Sequence, residues 1–146
     1  MRKYMSIIII LMFSFLFLPQ YTYSSVKEGY ELQVKCGKQC DEKFKGKYGS
    51  EGVEVKNEKG FTVFKHRNHY NKKLNKCFQL IETSHCNKEG VVETKIQELS
   101  DINENKIYGR IINFLNTHRV FECFVSKTGC KSEEEWDLLI KFYMEE

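Results

Sequence analysis

The chain has 146 residues, of which 23 are Lys or Arg and 20 are Asp or Glu. The small basic excess depends on Arg2 and Lys3, because residues 1–25 contain no acid. Without that segment the chain is close to neutral, so it lacks the field that steers a protein onto nucleic acid or an anionic membrane. We therefore expect no nucleic-acid partner.

Residues 1–24 have the pattern of a secretory signal peptide. Two basic residues precede an apolar run over residues 7–18, and a proline and small polar residues follow it. The run is shorter than the roughly 20 apolar residues that span a bilayer, and its flanks are those of a cleaved export signal. We expect cleavage after Ser24 or Ser25, a periplasmic or secreted location, and no stable membrane span in the mature protein.

Residues 25–146 are expected to form a single disulfide-stabilised α+β domain, since roughly 120 residues without a linker or repeat are enough for one core. Apolar residues and cysteines recur at four-residue steps between Tyr30 and Tyr48. This spacing predicts an N-terminal amphipathic helix that ends at the glycines near residues 46–49. Residues 46–60 are rich in glycine and charge, which predicts a mobile loop with one short strand near residues 53–55.

Further along the chain, short apolar segments alternate with polar turns. The segments 76–83, 91–99, 107–115 and 119–126 are rich in the residues that favour strands, and turn residues lie at 87–90 and 101–105. They predict an antiparallel β-meander of three to five strands. The basic stretch just before them, residues 66–76, is expected to be irregular or to lie at an edge of the sheet.

The last segment predicts a C-terminal helix packed on the sheet. Ser132 is a good N-cap, and Glu135 follows at the spacing of a capping box. Acidic residues in the first turn favour the positive end of the helix dipole. The apolar residues that follow at helical spacing are Trp136, Leu139, Ile140 and Tyr143.

All six cysteines follow the export signal, and an even number in an exported chain indicates disulfides. A turn at Thr128 and Gly129 favours the pair Cys123–Cys130. Cys36 and Cys40 are one helical turn apart, whereas Cys77 and Cys86 would be about 30 Å apart on a straight strand. We favour Cys36–Cys77. The remaining pair, Cys40–Cys86, requires the hairpin at 87–90 to curl over the helix. Otherwise these two are free thiols or form an intermolecular bond.

No complete catalytic or metal-binding pattern is present. Cys36 and Cys40 with His66 and His69 have the ligand types of a zinc site, but exported thiolates are expected to become disulfides. The chain contains no Cys-x-x-Cys and no Gly-x-Ser-x-Gly motif. We expect neither a metal nor another cofactor, and no enzymatic activity.

One basic stretch is a candidate site for anions. A run of cations with an aromatic residue is able to contact phosphate, although such a run is more commonly a solvated face of a domain. The candidate residues are His66, Arg67, His69, Lys72, Lys73 and Lys76.

Three segments resemble a group of small, uncharacterised exported bacterial proteins, some of which are labelled lipoproteins. The segments are His69–Phe78 (HYNKKLNKCF), Asp101–Gly109 (DINENKIYG), and the ending that runs from Cys130 (CKSEEEW) to the final YMEE. The resemblance implies cysteines equivalent to Cys36, Cys77, Cys123 and Cys130, with Cys40 and Cys86 as additions in this chain. It implies no activity, and this chain lacks the cysteine that a lipoprotein carries at its cleavage site.

Together these patterns favour a small exported domain with a non-enzymatic binding or envelope-associated role, whose partner is an extracytoplasmic protein. Two alternatives remain. One is a thiol-exchange protein or other enzyme that uses Cys40 or Cys86. The other is an inhibitor of an extracellular enzyme.

Overall fold

The computed structural model describes residues 26–50 and 54–145. The expected signal peptide and its cleavage site lie outside these residues. Contacts divide the chain into two units, Met1–Leu32 and Gln33–Glu146, and the architecture below is that of the second. Within the described ranges, no helix is both long and apolar enough to cross a bilayer.

The second unit contains the end of one helix, a seven-stranded antiparallel sheet and a second helix. Helix α1 covers residues 26–48, of which 33–48 belong to this unit. The strands are β1 (Glu54–Asn57), β2 (Gly60–Asn71), β3 (Lys76–Asn87), β4 (Val92–Asp101), β5 (Lys106–Phe114), β6 (Arg119–Val125) and β7 (Thr128–Gly129), and helix α2 is Glu133–Met144. Neighbouring strands follow chain order, which is a meander. The α+β class is confirmed, but three to five strands understated the seven present.

Strand β2 is the main difference from the sequence-based expectation. It pairs with β3 along its whole length, from Gly60 opposite Asn87 to Asn71 opposite Lys76, whereas β1 pairs on its other side with Gly60–Val63 alone. Residues 66–71 therefore form a regular strand, and on the side away from β3 they lie at an edge of the sheet within the described part of the chain. Charged and histidine side chains occupy much of β2, so the alternation of apolar residues that identifies a strand is missing there.

The two helices cover opposite faces of the sheet, because successive side chains of a strand point to opposite sides. In β3, Phe78 and Leu80 belong to a core with Trp136 and Ile140 of α2. The intervening Cys77 belongs to a second core with residues of α1. That second core consists of Cys36, Cys40, Cys77 and Ile102, with Tyr70 packed against it.

Between residues 36 and 44, helix α1 buries every fourth residue, namely Cys36, Cys40 and Phe44. Its apolar stripe starts later than expected, because Val34 is 53% exposed. The helix ends at residue 48, as the glycines predict, and Gly49 adopts a φ of +82°. Its N–H donates to the Lys45 carbonyl at 3.0 Å, which satisfies one of the last carbonyls of the helix.

Helix α2 begins after Ser132, as predicted. The Ser132 Oγ accepts a hydrogen bond from the Glu135 N–H at 3.2 Å. The Glu135 carboxylate reaches back one residue further than in a capping box and accepts from the Lys131 N–H at 2.8 Å. Trp136 and Ile140 are buried against the sheet, so the predicted apolar face is the packed one.

Candidate functional site

Two disulfides are present, one between distant segments of the chain and one across a short loop. Cys36 of α1 is bonded to Cys77 at the start of β3, with Cα atoms 5.5 Å apart. Cys123 of β6 is bonded to Cys130, just after β7, with Cα atoms 5.0 Å apart. Both are the pairs favoured from the sequence.

The pair Cys40–Cys86 does not form. Cys40 is a buried thiol, and Cys86 is a partly buried one. Strand β3 runs without interruption from Lys76 to Asn87, so Cys77 and Cys86 lie near its opposite ends. The hairpin that follows β3 leads into β4 and does not bring Cys86 to helix α1.

Cys40 instead contacts the disulfide between Cys36 and Cys77. Its Sγ is 3.7 Å from the Cys77 Sγ, and the three sulfur atoms of Cys36, Cys40 and Cys77 lie within 4.8 Å of one another. The Cys40 side chain is fully buried. Burial raises the pKa of this thiol to about 12, Asp41 raises it further, and Lys43 opposes the shift. At neutral pH the sulfur is a protonated thiol that an external substrate does not reach.

The structure does not bring the two histidines of the zinc pattern to these sulfur atoms. The His66 ring stacks on Phe44 with centroids 4.1 Å apart, and its Nδ1 lies 3.2 Å from the Gln79 Nε2. His69 pairs with Phe78, so its side chain points to the α2 face and away from the cysteine cluster. Among the described residues, the cluster that offers metal-ligand atoms consists of the three cysteines.

The six residues of the candidate anion patch do not share one surface. His66 points to the α1 face of the sheet, whereas Arg67 and His69 point to the α2 face. Specifically, Arg67 pairs with Leu80 and His69 with Phe78, and both partners face α2. Lys72 and Lys73 are exposed in the turn after β2.

Lys76 forms ion pairs with two acidic residues of the β4–β5 hairpin. Its Nζ lies 2.7 Å from Asp101 and 2.5 Å from Glu104. Hydrogen bonds to these two carboxylates raise the pKa of Lys76. This lysine therefore serves the structure of the β4–β5 turn, because Asp101 is buried and needs a cation beside it.

A cleft of about 400 Å³ opens between the sheet and the start of helix α2. Strands β2, β3 and β4 and the first two turns of α2 line it. The lining residues are Lys65, His66, Arg67, Leu80, Glu82, Lys95, Gln97, Glu133 and Asp137.

A charge network closes one side of this cleft. Lys95 Nζ lies 2.6 Å from Glu133 and 3.4 Å from Glu82. Burial by itself lowers the pKa of Lys95, but the hydrogen bond to Glu133 and the charges of both acids outweigh it and raise the pKa overall. Lys95 therefore remains a cation that is already neutralised by its partners.

The opposite wall carries two cations that are not neutralised. Lys65 and Arg67 of β2 are exposed. Neither has an ion pair among residues 26–50 and 54–145. Because β2 places them two residues apart, their side chains project from the same face of the sheet.

Gln97 is the buried polar residue of the cleft, with 6% of its surface exposed. Its Nε2 donates to the Glu82 carboxylate at 3.1 Å, which sets the orientation of the amide because a carboxylate only accepts. Its Oε1 has no hydrogen-bond partner within the described part of the chain. An unmatched buried acceptor of this kind costs about 1–3 kcal/mol. This oxygen is itself shielded from solvent, so a donor in the cleft reaches it only after the side chain rotates.

Asn113 of β5 is a comparable buried amide that lies outside the cleft. It is also 6% exposed, its Nδ2 donates to Glu133 at 3.4 Å, and its Oδ1 likewise has no partner among the described residues. Because it does not line the cleft, it separates the effect of an unmatched buried oxygen from the effect of a binding contact.

Comparison with models of known families, with curated proteins and with solved structures finds no match to this chain. The resemblance noted from three sequence segments stays a prediction.

Most residues of the cleft carry no recognisable pattern in the sequence. Arg67 and His66 were candidates for an anion patch, but Lys95, Gln97 and Asp137 were not. The available signal was the placement of polar residues at alternate positions of β4, on the face that also carries the buried Leu99. That signal marks a polar region next to a core, and only the pairing of strands shows which residues it faces.

Proposed function

We propose that this protein is an exported, non-enzymatic binding domain whose cleft beside α2 takes a small ligand with both an anionic group and hydrogen-bond donors. The observation that carries the proposal is a cleft with two unneutralised cations on one wall, beside which Gln97 buries an unmatched acceptor oxygen. A zwitterion with the dimensions of a dipeptide has this chemistry. The volume, about 400 Å³, lies at the lower end of the range for small-molecule sites, roughly 300–1,000 Å³.

The anionic end of the ligand is assigned to the β2 wall. Lys65 and Arg67 stand side by side there, and a guanidinium binds a carboxylate through two parallel hydrogen bonds. Lys95 contributes less, because Glu82 and Glu133 already neutralise its charge.

The donating end of the ligand is assigned to the α2 side. An ammonium group near Asp137, which lines the cleft from the second turn of the helix, is able to donate to the Gln97 Oε1 once the Gln97 side chain rotates toward the cleft. A hydrogen bond between a charged donor and a buried acceptor contributes about 1.5–3 kcal/mol, which corresponds to a factor of roughly 10–150 in affinity.

An NMR titration of the mature protein tests this assignment with three matched probes. Glycylglycine carries both charges, N-acetylglycylglycine only the anion, and glycylglycine amide only the cation. We expect glycylglycine to shift backbone amides of β2, β3, β4 and the start of α2, and the other two to bind at least about tenfold more weakly. Equal responses to all three probes, or shifts elsewhere in the sheet, would contradict the proposal.

Two variants provide the matched comparison. Gln97→Met keeps the length of the side chain but removes the acceptor, so it should weaken glycylglycine binding about tenfold or more. Asn113→Leu removes a similar unmatched oxygen outside the cleft and should leave binding unchanged. Loss of binding in both variants would indicate a general change of the sheet and would refute the specific role of Gln97.

Export is the second part of the proposal. The two disulfides support it, because disulfides persist mainly in oxidising compartments. N-terminal sequencing of the protein recovered from the producing cells tests it directly. We expect a mature chain that starts at Ser25 or Val26, and a chain that retains Arg2 and Lys3 would contradict export with cleavage.

A further inference from the structure

The disulfide between α1 and β3 has a third sulfur atom in contact with it. The Cys40 Sγ lies 3.7 Å from the Cys77 Sγ, whereas a disulfide bond is about 2.05 Å long. The remaining gap is about 1.7 Å, which a small rotation of two side chains is able to close. Cys40 and Cys36 therefore both lie within reach of the same partner, Cys77.

We propose that Cys36, Cys40 and Cys77 form an internal thiol–disulfide exchange site in which Cys77 alternates between its two neighbours on helix α1. This site does not depend on ligand binding in the cleft, which lies on the other face of the sheet. It differs from a thiol-exchange enzyme, because the attacking thiol and the disulfide both belong to this buried core.

The step is balanced without an external reagent. The Cys40 thiol loses its proton, and the thiolate attacks the Cys77 Sγ. The Cys40–Cys77 bond forms, the Cys36–Cys77 bond breaks, and Cys36 leaves with the electron pair of the broken bond. Cys36 then takes up a proton. One disulfide and one thiol are present before and after, so nothing is oxidised or reduced overall.

The exchange moves the covalent link along the helix. Cys36 and Cys40 are four residues apart on α1, which corresponds to one turn and a translation of about 6 Å along the axis. The attachment of α1 to β3 would then lie closer to Phe44 and Tyr48, which line a second groove on this face of the sheet. The exchange site thus couples the chemical state of three cysteines to the position of a helix.

The burial of the Cys40 thiol limits the rate of the thiol–disulfide exchange. Only the thiolate attacks a disulfide, and the thiol has a pKa of about 12. The rate should therefore rise about tenfold for each pH unit between pH 7 and pH 10. The reacting sulfur atoms are in contact but not in line, because the Cys36 and Cys40 Sγ atoms also lie within 4.8 Å of each other, so the side chains must rotate before the thiolate attacks along the axis of the disulfide.

Peptide mapping tests the exchange in the folded chain. Cys86→Ala supplies a background in which Cys40 is the only free thiol. The protein is incubated at pH 7, 8, 9 and 10, quenched in acid, alkylated and digested with trypsin under mildly acidic conditions. Cleavage after Lys38 places Cys36 and Cys40 on separate peptides, 36–38 and 39–43, so the two disulfides have different masses.

We expect the peptide with Cys40 to become linked to the peptide with Cys77, at a rate that rises with pH. Recovery of the Cys36–Cys77 link alone at every pH would overturn the proposal. The double variant Cys36→Ala/Cys86→Ala gives a second readout after air oxidation. A folded double variant in which Cys40 and Cys77 both resist alkylation under denaturing conditions supports exchange, and one that retains two reactive thiols refutes it. If the double variant does not fold, the peptide map decides.

Discussion

Replacement of Cys77 by Ala should lower the free energy of unfolding by about 4 kcal/mol, whereas replacement of Cys36 should lower it far less. Cys77 is common to both bonds of the exchange site, so Cys77→Ala removes every link between α1 and β3. Cys36→Ala leaves Cys40 beside Cys77, with their sulfur atoms 3.7 Å apart in the native protein. The two variants therefore distinguish a shared partner from a simple pair.

The magnitude follows from the length of the loop that each bond closes. Cys36 and Cys77 are 41 residues apart, and the loop-entropy relation gives about 3.9 kcal/mol for such a loop. Cys40 and Cys77 are 37 residues apart, which gives about 3.8 kcal/mol. Each variant also loses one buried sulfur atom of similar size. The expected difference between Cys77→Ala and Cys36→Ala is thus close to the whole contribution of one disulfide.

Urea unfolding of the oxidised proteins measures this difference. Trp136 is the only tryptophan and is fully buried, so its fluorescence reports global unfolding. With a urea m-value of about 2 kcal/mol/M, the loss of about 4 kcal/mol lowers the midpoint by about 2 M. The double variant Cys36→Ala/Cys40→Ala serves as the control and should unfold near the midpoint of Cys77→Ala.

Equal midpoints for Cys36→Ala and Cys77→Ala would refute the reasoning. That result would mean that Cys40 does not bond to Cys77 when Cys36 is absent. Midpoints that differ when both variants are oxidised and coincide when both are reduced, a treatment that also opens Cys123–Cys130 in each, would support the replacement bond.

Three further predictions concern stability and are checked by the same unfolding measurement. Gln97→Met should change the free energy of unfolding by less than about 1 kcal/mol, because removal of the unmatched buried oxygen offsets loss of the hydrogen bond to Glu82, and Asn113→Leu should be more favourable, because its bond to Glu133 is longer, at 3.4 Å. A loss of more than about 2 kcal/mol in both would show that these oxygens have partners in solution. Gly109→Ala should lower it by about 2 kcal/mol, since the new Cβ would lie 2.8 Å from the Phe124 carbonyl oxygen and 3.0 Å from the Trp136 ring. The control Gly46→Ala, in an exposed part of α1 with no neighbour within 4 Å, should instead raise it by about 0.5–1 kcal/mol. Ser132→Ala should lower it by about 1 kcal/mol, because it removes the N-cap of α2, and no change would mean that the cap is not formed in solution.

The candidate cleft was far less predictable than the elements around it. Lys65, Glu82, Lys95 and Gln97 come from three strands, and Glu133 and Asp137 come from a helix that follows them. Their proximity depends on the register that places Lys65 opposite Glu82 and Glu82 opposite Gln97. A shift of one residue in either pairing would turn these side chains to the other face. No pattern within one strand specifies that register.

The contacts among the cysteines were likewise only partly predictable from the sequence. Distance along a helix and along a strand was enough to favour Cys36–Cys77, and the short loop was enough to favour Cys123–Cys130. The contact of Cys40 with the bonded Cys77 was not foreseen, since it depends on how closely α1 approaches the sheet. The Cys40–Cys86 bond, which required the hairpin at 87–90 to curl over α1, does not form because β3 continues as a twelve-residue strand, and both residues are free thiols, which was the alternative.

Short-range interactions explain what could be read directly from the amino acids. The end of α1 near Gly49, the start of α2 at Ser132 and most of the strands and turns after Lys76 depend on residues a few positions apart, so their patterns are visible in the chain itself. The role of β2, the face that each side chain occupies, the cleft beside α2 and the three-sulfur contact depend on pairings across 15 to 40 residues. Folding sets those pairings through the joint packing of two helices on opposite faces of one sheet, and no local segment contains that information.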